Sequence, residues 1–123
     1  MVELSLNDRA LDAHSAKAFD AALNEANAKP EFELWASIPD GPSMCMLRNG
    51  ANAWLMYLRH PGDAGFRSIG AETSGAVRYT LSNGQADEYP AAWCIDVSTC
   101  LDAFRSFYQR DGARPQFIGW ADT

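Results

Sequence analysis

The sequence predicts an α+β domain, an antiparallel meander sheet with an N-terminal helix and a C-terminal helix packed on it. Three observations carry this. Turn signals recur about every ten residues through the middle of the chain, the spacing of short antiparallel strands. An apolar stripe of helical period lies near the start, and a second lies near the end. At 123 residues the chain is long enough to bury a core without staples, so one domain over 1–123 is expected.

Val2, Leu4 and Leu6 alternate with Glu3 and Ser5, the period of a half-buried strand. Asn7 or Asp8 then offers a cap for a helix over 10–27. Its inward stripe is Leu11, Ala18, Phe19, Ala22, Leu23 and Ala26, with Lys17, Asp20 and Glu25 outward. Lys29-Pro30 ends it. Asp40-Gly41-Pro42, Asn49-Gly50, Pro61-Gly62-Asp63, Ser74-Gly75 and Asn83-Gly84 separate five strands, at 32–38, 44–48, 53–59, 66–70 and 77–81. Asn49-Gly50 is the clearest hairpin signal, because a tight primed turn needs positive φ. The stretch from Ala53 to Leu58 is apolar on both faces, so its strand is central and covered.

The aromatic-rich stretch from Ala91 to Trp120 follows. Trp93, Ile95 and Val97 alternate as a strand, Ser98 is placed to cap a helix, and Leu101, Phe104, Phe107 and Tyr108 form its stripe. Gly112 can end that helix and Pro115 prevents its resumption, leaving 117–120 as a last short strand.

Ten basic residues against sixteen acidic ones give a net charge of −6, with the acids divided evenly between the two halves. Such a surface repels nucleic acid and anionic lipid and attracts a basic partner. Solubility alone also accounts for mild acidity. Cys45, Cys94 and Cys100 are an odd number without zinc-site spacing, as suits free thiols in a reducing cytosol. Met1-Val2-Glu3-Leu4-Ser5 lacks the basic start and apolar run of a signal peptide, and no stretch is apolar enough to span a bilayer, so a cytoplasmic protein is expected.

Catalytic signals are weak. His14 and His60 have no sequence-adjacent partner that would make either a base or a metal ligand. Cys100 falls in the first turn of a helix, where a thiol pKa can drop, and is the best nucleophile the chain offers. A small buried hydrophobe is the commoner fate of such a cysteine. No phosphate loop, zinc motif or nucleophile elbow is present, so no catalytic, cofactor or metal residues are assigned. Asp87-Glu88 is read as a loop pair whose side chains point apart, poor geometry for two-carboxylate catalysis. Asp63, Glu72, Asp87 and Glu88 all fall in or beside expected loops. Solvated loop charge is one reading of them and a partner-facing acidic patch the other.

From Ser43 to Trp120 the order of segments resembles the immunity protein 1 family of bacterial polymorphic toxin systems. The matching pieces begin with Arg48-Asn49-Gly50-Ala51-Asn52-Ala53 leading into Trp54-Leu55-Met56-Tyr57. Phe66-Arg67-Ser68-Ile69-Gly70, Val77-Arg78-Tyr79 and Glu88-Tyr89-Pro90 come next. The helix through Phe107-Tyr108 and the closing Arg114-Pro115 with Trp120-Ala121-Asp122 complete the pattern. The resemblance implies a small cytosolic protein that binds and neutralises a cognate toxin, often a nuclease or a nucleic-acid deaminase, and it implies no catalytic residues. Trp54, Tyr57, Trp93, Phe104 and Trp120 are the aromatics it marks, all five expected in the core. An acidic protein of this kind plugs a basic, phosphate-binding groove. The expected partner-facing residues are Asp63, Glu72, Asp87 and Glu88, with Tyr89 as an aromatic anchor, on a chain that is a monomer when free. The competing reading is a small enzyme or ligand-binding domain working through Cys100 or His60.

Overall fold

The computed structural model describes residues 1–123 and is α+β, with two helices and an antiparallel sheet of seven strands. In chain order the elements are β1 (Glu3–Leu6), β2 (Arg9–Leu11), α1 (Ala16–Asn27), β3 (Glu31–Ser37), β4 (Ser43–Asn49), β5 (Asn52–Leu58) and β6 (Phe66–Ser68). They continue with β7 (Ala76–Thr80), β8 (Ala86–Pro90), α2 (Val97–Gln109) and β9 (Trp120–Asp122). The large sheet has the order β2-β1-β3-β4-β5-β6-β9, so β3 to β6 form the expected meander. β7 and β8 pair only with each other, as a separate hairpin. No helix is long and apolar enough to cross a membrane.

Period-two patterning divides the sheet into two faces. Phe32, Leu34 and Ala36 of β3, Met44 and Met46 of β4, and Ala53, Leu55 and Tyr57 of β5 point to the helices and join a core of 21 buried residues. Phe19, Leu23 and Ala26 of α1 and Leu101, Phe104 and Phe107 of α2 complete it. On the other face Cys45, Leu47 and Trp54 are buried with Tyr79 of β7, and the rest of the cover is only partial. β5 is thus central and covered on both faces, as its unbroken apolar run requires.

Several boundaries differ from the sequence reading, each for a local reason. Asn7 and Asp8 do not cap a helix. Both hold positive φ (50° and 65°) in the two-residue turn between β1 and β2, a primed-turn geometry that asparagine and aspartate tolerate. The Asn7 side chain also accepts from the Glu33 amide, tying the turn to β3. Residues 9–11 are therefore strand, and α1 starts at Ala16, where the Ser15 hydroxyl accepts from the Ala18 amide. In the β4–β5 turn the positive φ falls on Gly50, the first of two loop residues.

Residues 93–97 are not a strand. Ala91–Trp93 is one 3₁₀ turn, and only Ile95 bridges to the sheet, through its amide to the Ala53 carbonyl. This segment presses on Gly70, where a Cβ would lie 1.9 Å from the Cys94 carbonyl oxygen. Asp96, not Ser98, caps α2. Its carboxylate accepts from the Thr99 amide and hydroxyl and from the Ser98 hydroxyl. The last strand is shifted as well. Residues 117–119 lie in the turn, Phe117 is exposed, and Trp120–Asp122 pairs with Phe66–Ser68. Finally, Asp87 and Glu88 are strand residues of β8 rather than a loop. Gly112 does close α2, with φ 85° and its amide donating to the Phe107 carbonyl. Of the five aromatics expected in the core, Trp54, Tyr57 and Phe104 are buried, while Trp93 and Trp120 are only half-buried.

Candidate functional site: an aromatic cavity between the sheet and the hairpin

The β7–β8 hairpin lies across the face of the sheet that the helices leave bare. Its inward residues follow from alternation. Val77 and Tyr79 of β7 and Tyr89 of β8 point toward the sheet, while Arg78 and Glu88 stand outward. Tyr89 packs on Trp54 with ring centroids 4.6 Å apart and on Trp93 at 5.7 Å, and Trp54 meets Trp93 at 5.2 Å. The Asn49 side-chain amide donates to the Arg78 carbonyl, and the Tyr79 hydroxyl lies 2.9 Å from the Cys94 sulfur.

The cover is incomplete and leaves a half-open cavity of about 350 Å³. Trp35, Leu47, Trp54, Met56, Tyr89 and Trp93 give it an aromatic and apolar lining, with Ala64 and Thr123 also lining it. One carboxylate, Glu33, belongs to the wall. One of its oxygens accepts from the Ser82 amide and the other from the Trp35 indole N–H, at 2.9 and 2.7 Å. Partial burial pushes this carboxyl up, but those N–H donors outweigh it and leave its pKa below the ordinary value. Glu33 is thus a carboxylate at neutral pH, held by neutral donors, with no cationic side chain within 4 Å. Beside the cavity the Arg67 guanidinium lies over the Trp93 ring, 4.6 Å from its centroid. A larger groove of about 660 Å³ runs along β1 and β2, with a mainly aliphatic lining that includes Val2, Leu4 and Leu11, and with Tyr108 as its one large aromatic side chain.

The five residues expected to face a partner do not form one patch. Asp63 is occupied: it bonds the Arg59 guanidinium twice and the Arg59 amide once, and only 5% of its side chain is exposed. The guanidinium, then the amide, hold its pKa well below the usual carboxylate range. It is the clasp of the β5–β6 turn. Glu72 is exposed in the loop before β7, near Gly70 and Asp96. Asp87 and Glu88 project to opposite faces of β8. Asp87 accepts from the Gln85 side-chain amide and, at 3.4 Å, from the Tyr89 hydroxyl, whereas Glu88 is fully outward. Tyr89 is half-buried in the aromatic cluster and lines the cavity instead of standing free between acids. Burial, then the Asp87 charge, pushes its phenol up.

The cavity itself was missed by sequence reasoning. A visible signal was the run of large residues on the outward phase of β3 to β5, Trp35, Leu47, Trp54 and Met56, too apolar for a solvated face.

The nucleophile candidates lie elsewhere. Cys100 is fully buried in the helix-side core, and burial, then the Asp96 charge, raises its thiol pKa. Its place in the first turn of α2 does not activate it, because desolvation dominates. Cys45 is likewise buried and raised, by burial and then by Glu33. His60 is exposed with Nδ1 2.9 Å from the Pro61 carbonyl, and His14 Nδ1 contacts the Asp12 carboxylate. No three His, Cys, Asp or Glu side chains converge as a metal site. No family model matches the chain, and no curated protein matches it either.

Proposed function

We propose that the protein is an immunity-type binding protein that acts in the cytoplasm as a monomer, seating on a basic, nucleic-acid-acting toxin domain and occluding its active-site groove. The observation that carries the reading is how the charges are used. Of ten basic residues, Arg9, Arg59 and Arg105 are engaged by carboxylates. Arg48 caps backbone carbonyls at the end of α1, and Arg67 and Arg114 lie over aromatic rings. Only five of the sixteen acids enter an ion pair, so the others meet solvent or neutral donors. The fold engages six of its ten basic side chains and leaves eleven of its sixteen acids outside any ion pair, which favours a basic partner in both encounter rate and register. The resemblance of the segment order to the immunity protein 1 family, noted in the sequence, motivates the same reading. The enzyme reading draws less support, since Cys100 is sealed in the core and His60 lacks a carboxylate or thiol partner.

The reading places a toxin gene beside this one, and the test is inhibition of the domain that gene encodes. Its nuclease or deaminase activity should fall to background at about one equivalent of the protein, as tight nuclease–immunity pairs do. Undiminished activity in large excess would overturn the reading, as would turnover by this chain itself that disappears in Cys100→Ala. Glu72→Lys combined with Glu88→Lys changes the two of the four expected partner-facing acids that are exposed and hold no internal partner. That pair should slow association about tenfold at low salt and flatten its salt dependence.

A further inference from the structure

We propose that the cavity between the sheet and the β7–β8 hairpin is an aromatic cage that receives an arginine side chain of the basic protein partner, with Glu33 supplying the countercharge. The inference rests on the immunity-type reading for the source of the arginine, and on the cavity alone for its chemistry.

The lining joins two features that an apolar docking groove does not need. The first is an aromatic wall, in which Trp54, Tyr89 and Trp93 pack on one another and Trp35 joins the lining. Trp35, Trp54, Tyr89 and Trp93 all contribute to a cavity of about 350 Å³, within the range that holds a ligand group. Ring faces carry negative potential and attract a cation lying over them, guanidinium above all. The second is a carboxylate in that same wall with no cation of its own. The neutral donors from Ser82 and Trp35 fix its position and stabilise its ionised form without cancelling its charge, so the wall presents a negative charge to whatever enters.

The molecule also carries an internal precedent, because Arg67 already lies over Trp93 at 4.6 Å. Arg67 adds a positive charge near the rim, and Asp87, which bonds the Tyr89 hydroxyl, adds a negative one. With Glu33 counted the balance around the cavity is negative, which suits an incoming cation. Guanidinium fits better than a neutral apolar group, which would use the rings but leave the carboxylate unmatched.

The probe is N-acetyl-arginine amide, and the control is N-acetyl-citrulline amide, its neutral isostere. Both are titrated into the wild-type protein while the four indole N–H signals are followed by NMR. The arginine derivative should shift Trp35, Trp54 and Trp93 in the millimolar range and leave Trp120, which lies outside the cavity, unmoved. Citrulline should bind at least about tenfold more weakly. Glu33→Gln should bring arginine down to the citrulline level. The same variant should raise the inhibition constant toward the toxin domain by about tenfold or more, read by titration of toxin activity.

Equal binding of the two derivatives, or no shift of the cavity indoles with either, overturns the cage. The wild-type titrations alone decide this, even if Glu33→Gln does not fold. Glu33→Gln that loses the arginine probe yet inhibits the toxin as wild type does overturns the partner's arginine as occupant. The two readings fail separately. Inhibition without probe binding removes the cage and keeps the immunity function. Probe binding without inhibition removes that function and the named occupant with it, but not the cavity's selectivity for a cation.

Discussion

The two faces of the seven-stranded sheet share their strands and differ in what covers them. On one face α1 and α2 close over alternate residues of β1, β3, β4 and β5, and the core there holds 21 buried side chains. On the other face a five-residue-per-strand hairpin and one 3₁₀ turn bury four residues and leave Trp35, Met56, Tyr89 and Trp93 partly open. Two amphipathic helices can lay continuous stripes along the sheet, whereas a short hairpin touches only through every second residue. The helix face therefore stabilises the molecule. The hairpin face is held by a few aromatic contacts and two or three hydrogen bonds, and it keeps a cavity that packing has not filled. A large aromatic surface left partly open carries a free-energy cost that evolution tolerates most readily where something else covers it.

The largest expected effect separates the faces by stability. Phe104→Ala, on the helix face, should destabilise the protein by roughly 3–5 kcal/mol, as truncation of a fully buried aromatic does. Trp93→Ala, on the hairpin face, removes a larger but half-buried ring and should cost about half as much. Urea unfolding of both variants decides it. Equal losses would mean that the hairpin face is as tightly closed as the helix face.

How much of this was legible in the sequence follows from the same contrast. The helix face reads well because its signals are long. Five positions of α1 and four of α2 repeat at helical period, and turn signals separate the meander strands at regular spacing. Two errors came from giving the wrong job to residues with more than one. Asn7-Asp8 can cap a helix or turn a hairpin, and the choice depends on Glu33, a residue 26 positions away from Asn7 that bonds its side chain. Trp93-Cys94-Ile95 alternates like a strand, but Trp93 ends a 3₁₀ turn and only Ile95 bridges to the sheet, on a segment packed against Gly70. The site was less legible still. Acids were expected to matter because they lay in loops, yet Asp63 proved to be an internal clasp and Asp87 a strand residue. The cavity depends on how two sheets meet, which alternation within one strand does not encode.

A second prediction concerns the rim of the cavity. Asp63 clasps the β5–β6 turn beside Ala64, which lines the cavity, and Arg59 keeps its carboxyl ionised to low pH. A carboxyl whose pKa is lowered on folding contributes fully above its unfolded value, about 3.9, and loses that contribution as pH falls through the folded one. Asp63→Asn should therefore lower the melting temperature at pH 7, by an amount that shrinks as pH falls below about 4 and persists in part near pH 2, because the folded carboxyl is still ionised there. A constant offset across that range would show that the ionised state of Asp63 contributes nothing, and that the turn holds by shape alone.

The smallest expected effect distinguishes two tryptophans on the same face. Trp35 and Trp54 both line the cavity, but their indole N–H groups fare differently. That of Trp35 donates to Glu33 at 2.7 Å, while that of Trp54 is buried with no acceptor. A buried donor without a partner costs about 1–3 kcal/mol, which is recovered when the group is removed. Trp54→Phe gives up part of a ring that packs on Tyr89 and Trp93 and also removes that orphan donor. The two terms oppose each other, so the net change should lie within about 1 kcal/mol of zero. Trp35→Phe has no such compensation. It strips one donor from the Glu33 carboxylate and should destabilise by about 1.5–3 kcal/mol, the range for a hydrogen bond to a charged group. Equilibrium urea denaturation of the two variants gives the comparison directly. Were Trp54→Phe to cost as much as Trp35→Phe, the Trp54 N–H would have to be satisfied after all, and the face of the neighbouring Tyr89 ring is the acceptor to examine, by replacing Tyr89 with leucine in the Trp54→Phe background.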